Sequence, residues 1–167
     1  MMSESYCIRV GKEELFFSAC HFLVLDEESA EPMHGHTYRV SVDLWGPLDA
    51  HFFVADFSWI RKTLREMVGE LDHRILLAGQ EGRYRLQLSG EEIEVRLGRR
   101  RWVLPRGDCV VLPLAATTTE LLAQYLGRRL WEAFRSRGDW MPEQLQVELE
   151  ESPGQSAFYS LRRTSAV

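Results

Sequence analysis

The alternation of apolar and polar residues over positions 37–44 is the feature that most restricts the fold of this chain. Tyr38, Val40, Val42 and Leu44 are separated by single polar residues, and the run ends shortly before Pro47. Side chains two apart on a β-strand point to the same face of a sheet, so the pattern predicts a strand with one face in the core. The fold must therefore contain a sheet that is covered on one side.

Two segments have the periodicity of amphipathic helices. Apolar residues recur at helical spacing over positions 57–68, and Asp56 stands where an N-cap residue is expected. A second helix is predicted over positions 118–134. Its start fits a capping box in which Thr117 and Glu120 satisfy each other's backbone donors.

The other predicted strands flank these helices. Two extended runs, over positions 8–10 and 14–24, are joined by a predicted turn at Gly11-Lys12-Glu13. A hairpin around Ser152-Pro153-Gly154 joins runs over positions 144–149 and 157–162, and short alternating runs between the helices predict two small hairpins. This order predicts a single α+β domain over residues 1–167, built on an antiparallel sheet.

The composition argues against several classes of protein. The net charge is -5, whereas a general nucleic-acid binder carries a basic patch. No apolar run approaches the roughly 20 residues that span a membrane. The three cysteines, Cys7, Cys20 and Cys109, are far apart and suggest no disulfide framework. We therefore expect a cytoplasmic protein without membrane or nucleic-acid partners.

Three of the five histidines form a candidate metal site. His34 and His36 are two apart at the start of the best strand, so both rings can face one ion, and His21 lies in the preceding extended run. Three histidines leave a fourth position open, as in catalytic zinc sites. From the residues alone, the alternative that these are loop and surface histidines stays open.

Six short motifs occur in the order in which a known enzyme family carries them. They are Phe17-Ser18-Ala19-Cys20-His21, His34-Gly35-His36-Thr37-Tyr38, Val54-Ala55-Asp56-Phe57, Leu71-Asp72-His73, Thr118-Thr119-Glu120 and Glu151-Ser152. They resemble the segments F-x-A-x-H, HGHxY, V-x-D-F, LDH, T-x-E and E-T of the 6-pyruvoyl- and 6-carboxy-tetrahydropterin synthase family. The resemblance runs from about residue 8 to residue 160. The stretch over residues 79–113 is not covered, and we interpret it as an insertion with an extra β-hairpin.

The resemblance implies a tunnelling fold (T-fold), an antiparallel sheet with two helices on one face. It implies a homotrimer or homohexamer with the active site between subunits, which agrees with the need to protect the edges of a small open sheet. It also implies that His21, His34 and His36 bind Zn²⁺.

Further site residues follow from the same resemblance. Glu151 would anchor the pterin ring, because a carboxylate can accept two parallel hydrogen bonds. Thr118 and Thr119 cap the second helix and would contact the pterin. Asp72 and His73 resemble the family's acid–base pair, in which a carboxylate orients an imidazole. The alternative for this pair is that it merely ends the first helix.

The sequence departs from the usual family pattern just before His34. The family's catalytic cysteine stands four residues before the HGH segment, and that position here is Ala30. Cys20 is a poor substitute, because its side chain should point to the sheet face opposite His21. The neighbouring Glu31 gives an E-x-x-H-G-H segment, which resembles a subfamily in which glutamate replaces the cysteine as base.

Several functions remain open on the sequence alone. The main expectation is a zinc-dependent lyase that acts on the side chain of 7,8-dihydroneopterin or its triphosphate and forms a 6-carboxy- or 6-pyruvoyl-tetrahydropterin. The glutamate subfamily instead cleaves dihydroneopterin by a retro-aldol reaction to 6-hydroxymethyl-dihydropterin, a folate precursor. The alternatives from other classes are a non-catalytic pterin- or purine-binding protein and a zinc-dependent hydrolase.

Overall fold

The computed structural model of the chain describes residues 5–80 and 84–164. The predicted insertion at 79–113 includes residues 81–83, which lie outside the described residues. The elements are β1 (Tyr6–His21), β2 (His34–Gly46), α1 (Phe57–Gly69), β3 (Arg74–Ala78), β4 (Arg85–Ser89), β5 (Glu92–Leu97), β6 (Arg100–Pro105), β7 (Cys109–Leu112), α2 (Thr119–Arg137), β8 (Gln144–Ser152) and β9 (Gln155–Arg162), with a short 3-10 helix at Arg106–Asp108.

The main sheet has six strands in the order β7-β3-β1-β2-β8-β9. Strands β1, β2, β8 and β9 pair antiparallel, and the closing hairpin of β8 and β9 is confirmed. The sheet is nevertheless mixed, because β3 runs parallel to β1 and β7 parallel to β3. Helix α1 carries the chain back along the sheet from the end of β2, so that β3 starts beside Ala19 and continues in the direction of β1.

Both helices cover the same face of this sheet. Alternate residues of β1, β2 and β8 point into one core with the buried faces of α1 and α2; its fully buried members include Phe17, Tyr38, Val40, Ile60, Leu64, Leu122, Leu126 and Val147. The α+β architecture with two helices on one face is therefore confirmed. Within the described residues, no helix combines the length and apolar character that a membrane crossing requires.

The helix starts show where local sequence signals succeed and fail. Asp56 caps α1 as predicted, since its carboxylate accepts hydrogen bonds from the N–H groups of Ser58 and Trp59. Helix α2 is capped by Thr118, whose hydroxyl accepts from the Leu121 N–H at 3.4 Å. The predicted capping box at Thr117 is therefore wrong by one residue, because Thr117 is buried beneath the helix start.

The predicted turn at residues 11–13 is also wrong. The chain stays in one strand, β1, and a shift of register between Gly11 and Phe16 takes up the extra residues as a bulge. Gly11 has a φ of 129°, and a Cβ there would lie 2.3 Å from the Val40 carbonyl oxygen. Only glycine allows β1 to press this closely against β2.

The segment between the helices forms one small sheet instead of two hairpins. Strands β4, β5 and β6 pair antiparallel, while β7 leaves them and joins the main sheet. One face of the small sheet forms a second hydrophobic cluster with Phe22, Ala30 and Leu77, and Trp102 stacks on Phe22 at 4.9 Å. The small sheet thus packs on the segment between β1 and β2.

The bulge at Gly11 makes a testable prediction about stability. Gly11→Ala combines a backbone conformation that L-residues avoid with a clash against Val40, and it should lower the free energy of unfolding by about 2–4 kcal/mol. Chemical denaturation monitored by circular dichroism measures the change.

Gly69→Ala is the matched control, because Gly69 ends α1 and nothing lies within 4 Å of its added Cβ. It should be neutral or stabilising by up to about 1 kcal/mol. Equal stability of the two variants would contradict the role given to Gly11.

Candidate functional site

Three histidines meet where β1 ends and β2 begins. The antiparallel register places His21 opposite His34 and Ala19 opposite His36. The candidate ligand atoms of His21, His34 and His36 all lie within 4.8 Å of one another. The structure thus brings together the three histidines that the sequence predicts as metal ligands.

Backbone carbonyls hold two of the rings in one orientation. The Nδ1 of His21 lies 2.9 Å from the Thr117 carbonyl oxygen, and the Nδ1 of His34 lies 2.8 Å from the Pro32 carbonyl oxygen. A carbonyl can only accept, so each Nδ1 carries the proton and each Nε2 keeps a free lone pair. This is the tautomer that a ligand imidazole requires.

The third ring provides the observation that best indicates a ligand. The Nε2 of His36 is buried and has no hydrogen-bond partner among the described residues. Leaving a buried polar atom unpaired costs free energy, and such atoms in native structures commonly face an ion or a water. The donor set therefore fits a metal ion held by three imidazoles.

Burial also sets the protonation state of His21. His21 is 1% exposed, and this burial lowers the pKa of its imidazole below the ordinary value, with smaller contributions from the neighbouring histidines. The ring is therefore neutral at physiological pH and can donate its lone pair. A neutral imidazole is a common zinc ligand, so His21 would suit such an ion.

A carboxylate and a phenol stand beside the three rings. Glu151 lies near the end of β8, and its Oε1 is 3.7 Å from the Nε2 of His21 and 3.7 Å from that of His36. The hydroxyl of Tyr38 lies 3.3 Å from the same oxygen and 3.4 Å from the Nε2 of His21. Sequence reasoning assigned Glu151 to the substrate and gave Tyr38 no role.

The start of α2 lies next to the three histidines, because Thr117 contacts His21. Thr117 accepts the hydrogen bond from His21, and Thr118 and Thr119 follow it directly, both partly exposed. The side chain of Thr118 is engaged as the helix cap. The role of Thr117 could not be read from the sequence, because a backbone carbonyl acts whatever the side chain.

Asp72 and His73 lie apart from the three histidines, on the side of β1 away from β2. Asp72 accepts a hydrogen bond from the Ser18 N–H at 2.8 Å, which lowers the pKa of its carboxyl, and it lies 2.8 Å from the Nδ1 of His73. His73 is 84% exposed in its side chain, has a left-handed φ of 57°, and donates its N–H to the Ser18 carbonyl. The pair follows α1 and is not part of it.

A shallow cavity lies between His73 and the strands that carry the candidate metal ligands. It has a volume of about 480 Å³, and His36 and His73 both line it, together with Cys20, Arg74 and Asp108. His73 of the candidate acid–base pair and one candidate ligand thus border the same open space.

Glu31 lies in the loop between β1 and β2. Its N–H donates to the Leu23 carbonyl oxygen at 2.8 Å. This hydrogen bond fixes the backbone of Glu31 near the end of β1 and the start of β2. Arg100 of the small sheet braces the same loop by donating to the Ala30 carbonyl oxygen at 2.6 Å. The side chain of Glu31 is partly exposed, whereas Ala30 is buried in the second hydrophobic cluster.

The cysteines provide no evident nucleophile at this site. The burial pattern of β1 places Ala19 and His21 on the helix face and the partly exposed Cys20 on the other face. Burial raises the pKa of the thiol in Cys20 and in Cys109, which disfavours the reactive thiolate. Cys7 is exposed at the opposite end of β1.

Comparison with known proteins places the chain in one family. The family model of 6-pyruvoyl tetrahydropterin synthase matches residues 10–162. A protein of Methanocaldococcus jannaschii, provisionally named 6-carboxy-5,6,7,8-tetrahydropterin synthase, is 30% identical over 160 residues, which is 95% of this chain and 96% of that protein. A protein of Pyrococcus horikoshii with the same provisional name is 32% identical over 117 residues, or 70% of this chain and 69% of that protein.

A solved structure shows the same fold. It is a Plasmodium vivax 6-pyruvoyltetrahydropterin synthase in which a catalytic glutamate is replaced by alanine, and it superposes with a TM-score of 0.86 at 23% identity over 96% of this chain and 100% of that one. The two helices on one face of the sheet are thus those of the T-fold. From the family match and the relatives together, the chain belongs to the 6-pyruvoyl tetrahydropterin synthase family.

Proposed function

We propose that this chain is a zinc-dependent lyase that acts on the side chain of 7,8-dihydroneopterin or its triphosphate, in the manner of 6-pyruvoyl- and 6-carboxy-tetrahydropterin synthases. The observation that carries the proposal is the convergence of three imidazoles with an adjacent carboxylate, Glu151. Family membership and the names of the archaeal relatives support the pterin as substrate class.

His21, His34 and His36 would hold the ion. When bound, zinc supplies a Lewis acid that lowers the pKa of the side-chain hydroxyls of the substrate. The carbonyls of Thr117 and Pro32 keep the rings pointed at the ion, and the burial of His21 excludes water on one side. Three protein ligands leave room for the substrate.

Glu151 would anchor the pterin ring. Its carboxylate is 24% exposed in its side chain, so it can meet a ligand while it stays next to the histidines. Two parallel hydrogen bonds from the amino group and the ring N–H of a pterin match the two oxygens of a carboxylate. Thr118 and Thr119, next to the carbonyl that holds His21, would contact the same ring.

Glu31 would act as the base in place of a cysteine. The position of the family's cysteine, Ala30, is buried among apolar side chains, whereas the next residue is partly exposed. Glu31 would take a proton from a side-chain carbon or hydroxyl of the substrate. The Plasmodium vivax structure carries a replacement of a catalytic glutamate, which supports a catalytic carboxylate on this fold.

Asp72 and His73 would complete the site from a neighbouring subunit in a homotrimer or homohexamer. Their carboxylate–imidazole contact orients the ring, but His73 is 84% exposed and outside the three-histidine group. Strand β9 ends the sheet, and β3 pairs with β1 only at Ala19 and Cys20, so both places offer backbone groups to another chain. A second copy could bring His73 of one chain to the histidines of another.

Retro-aldol cleavage of dihydroneopterin is the second candidate reaction. Glu31 next to a buried Ala30 favours it, because the usual thiol is absent. Glu31 would then take the proton of the 2′-hydroxyl, and the bond between C1′ and C2′ would break to release glycolaldehyde. The electrons would enter the C=N system of the pterin, and C1′ would then take up a proton to give the hydroxymethyl group. The names of the archaeal relatives favour the 6-carboxy product instead.

Product identification tests the proposal directly. Zinc-loaded protein is incubated with dihydroneopterin and, separately, with its triphosphate, and the products are identified by mass. A 6-carboxy- or 6-pyruvoyl-tetrahydropterin supports the first reaction, and 6-hydroxymethyl-dihydropterin with glycolaldehyde supports the second. Pterin binding without any product would leave a non-catalytic binding protein and contradict the proposal.

The role of Glu31 predicts a loss of turnover without a loss of binding. Glu31→Gln should lower kcat by roughly 100-fold to 10,000-fold, the usual effect of removing a general base, with unchanged zinc content and pterin affinity. Glu27→Gln, in the same loop and exposed, is the matched control and should behave like the parent. If Glu31→Gln retained full activity, the base would have to be another group.

Zinc binding predicts a specific dependence on two histidines. Purified protein should carry about one zinc per chain in nitrogen-rich tetrahedral coordination, measured by mass spectrometry of the metal and X-ray absorption. The double variant His34→Ala/His36→Ala should lose the metal. His51→Ala should keep it, since His51 is exposed and outside the cluster. Full occupancy in the double variant would rule out this site.

A site shared between subunits predicts complementation. Inactive His34→Ala and inactive His73→Ala chains, mixed by co-refolding, should regain activity, because some interfaces would join an intact histidine cluster to an intact His73. A mixture of Asp72→Asn with His73→Ala is the control and should stay inactive, since both changes lie in the same half. A monomer by light scattering at micromolar concentration would contradict the shared site.

A further inference from the structure

We propose that Tyr38 is a positioning residue for pterin recognition, which acts by holding the carboxylate of Glu151 beside the histidine cluster. This inference rests on the proposed role of Glu151 as the pterin anchor. No contact between Tyr38 and the substrate is required, because the phenol is buried behind the carboxylate.

The phenol ring of Tyr38 is held in place by tight packing on all sides. Tyr38 lies in the central strand β2 and is 0% exposed, and its ring stacks on Phe17 with centroids 4.8 Å apart and planes within 15°. The ring of His36 packs edge-on against it at 5.6 Å. The position of the hydroxyl is therefore fixed by core packing and not by the site that it serves.

The hydroxyl of Tyr38 acts as a hydrogen-bond donor. A tyrosine hydroxyl is protonated at neutral pH and has one hydrogen to donate. Leaving a buried hydroxyl without a hydrogen-bond partner costs free energy, so Tyr38 donates a hydrogen bond to an acceptor within reach. The acceptors in reach among the described residues are the Oε1 of Glu151 at 3.3 Å and the Nε2 of His21 at 3.4 Å.

Metal binding would decide between these two acceptors. His21 donates its Nδ1 proton to Thr117, so the lone pair on Nε2 either accepts from Tyr38 or binds a metal ion. If an ion engages the Nε2 lone pair of His21, the remaining acceptor for the Tyr38 hydrogen bond is Glu151. The hydroxyl thus links the filling of the histidine cluster to the position of the carboxylate.

Glu151 needs such a support because it lies in an irregular part of β8. The pairing with β9 shifts register between Glu150 and Ser152, so regular sheet geometry does not fix the Glu151 side chain. Its Oε1 is 3.7 Å from two candidate ligand nitrogens, close enough for the carboxylate to turn onto an ion. A donor fixed in the core holds it where both oxygens can face a pterin.

The test is a double-mutant cycle on pterin affinity. The probe is unsubstituted 7,8-dihydropterin, which has no side chain to bind a metal, and its Kd is measured by calorimetry on zinc-loaded protein. Tyr38→Phe keeps the stacked ring and removes only the hydroxyl. It should raise the Kd roughly 5- to 30-fold, the loss expected for a hydrogen bond to a charged group of moderate geometry. Zinc content and melting temperature check the fold of the variant.

The effect must pass through Glu151. In a Glu151→Gln background, which itself should weaken binding, Tyr38→Phe should add less than about 2-fold, because residues that act as a unit are not additive. Tyr84→Phe removes the hydroxyl of another, partly buried tyrosine, which accepts from the Ala78 N–H beside the second cluster, and should leave the Kd unchanged.

Three outcomes would overturn the inference or its basis, and they are distinguishable. An unchanged Kd in Tyr38→Phe, with weaker binding in Glu151→Gln, overturns the role of Tyr38 and leaves the proposed function intact. An equal loss in both backgrounds shows that Tyr38 acts independently of Glu151. An unchanged Kd in Glu151→Gln removes the pterin anchor and with it the basis of the inference.

A second measurement uses the unaltered protein. Zinc loading should shift the C–O stretching band of one tyrosine in infrared difference spectra, because its hydroxyl then donates a hydrogen bond only to the carboxylate. The band should be absent from Tyr38→Phe. If the spectra of the two proteins are the same, the link between the metal cluster and Glu151 is wrong.

Discussion

The pairing of β1 with β2 is the interaction on which the rest of the site depends. Its register sets His21 opposite His34 and Ala19 opposite His36, so two strands provide three converging rings. The same register brings Gly11 against Val40, where a side chain would meet the backbone of β2. A slip of one strand by one residue would turn its rings to the other face of the sheet, away from those of its partner, which makes the bulge a condition for the site as well as for the sheet.

The sequence predicted the parts of the fold that depend on local pattern. The alternation over positions 37–44, the cap at Asp56 and the β8–β9 hairpin are each confirmed, because each rests on neighbouring residues. The parallel strands β3 and β7 and the bulge in β1 were missed, because their partners lie far along the chain. The capping box failed by one residue since burial of Thr117 took precedence over its capping preference.

The candidate site shows the same division. Spacing and resemblance pointed to His21, His34, His36 and Glu151, and the structure brings these four side chains together. The groups that orient them could not be read from the sequence, because two of them are backbone carbonyls and the third is the hydroxyl of a core tyrosine. Asp72 and His73 were assigned to the same site, yet one chain leaves His73 exposed to solvent beside β1.

Under the proposed shared site, each chain has to orient its own half of the site. A site closed by a second chain cannot rely on that chain to orient its first half before assembly. The carbonyls of Thr117 and Pro32 and the phenol of Tyr38 all belong to the chain that carries the histidines, and Thr117 and Tyr38 are themselves buried. Each half can thus be rigid on its own, with only the exposed His73 and the partly exposed Glu31 and Glu151 left to meet substrate or partner. One chain can therefore orient its own half of the site while a second chain completes it. The groups that orient and the groups proposed to react lie at different depths in the structure.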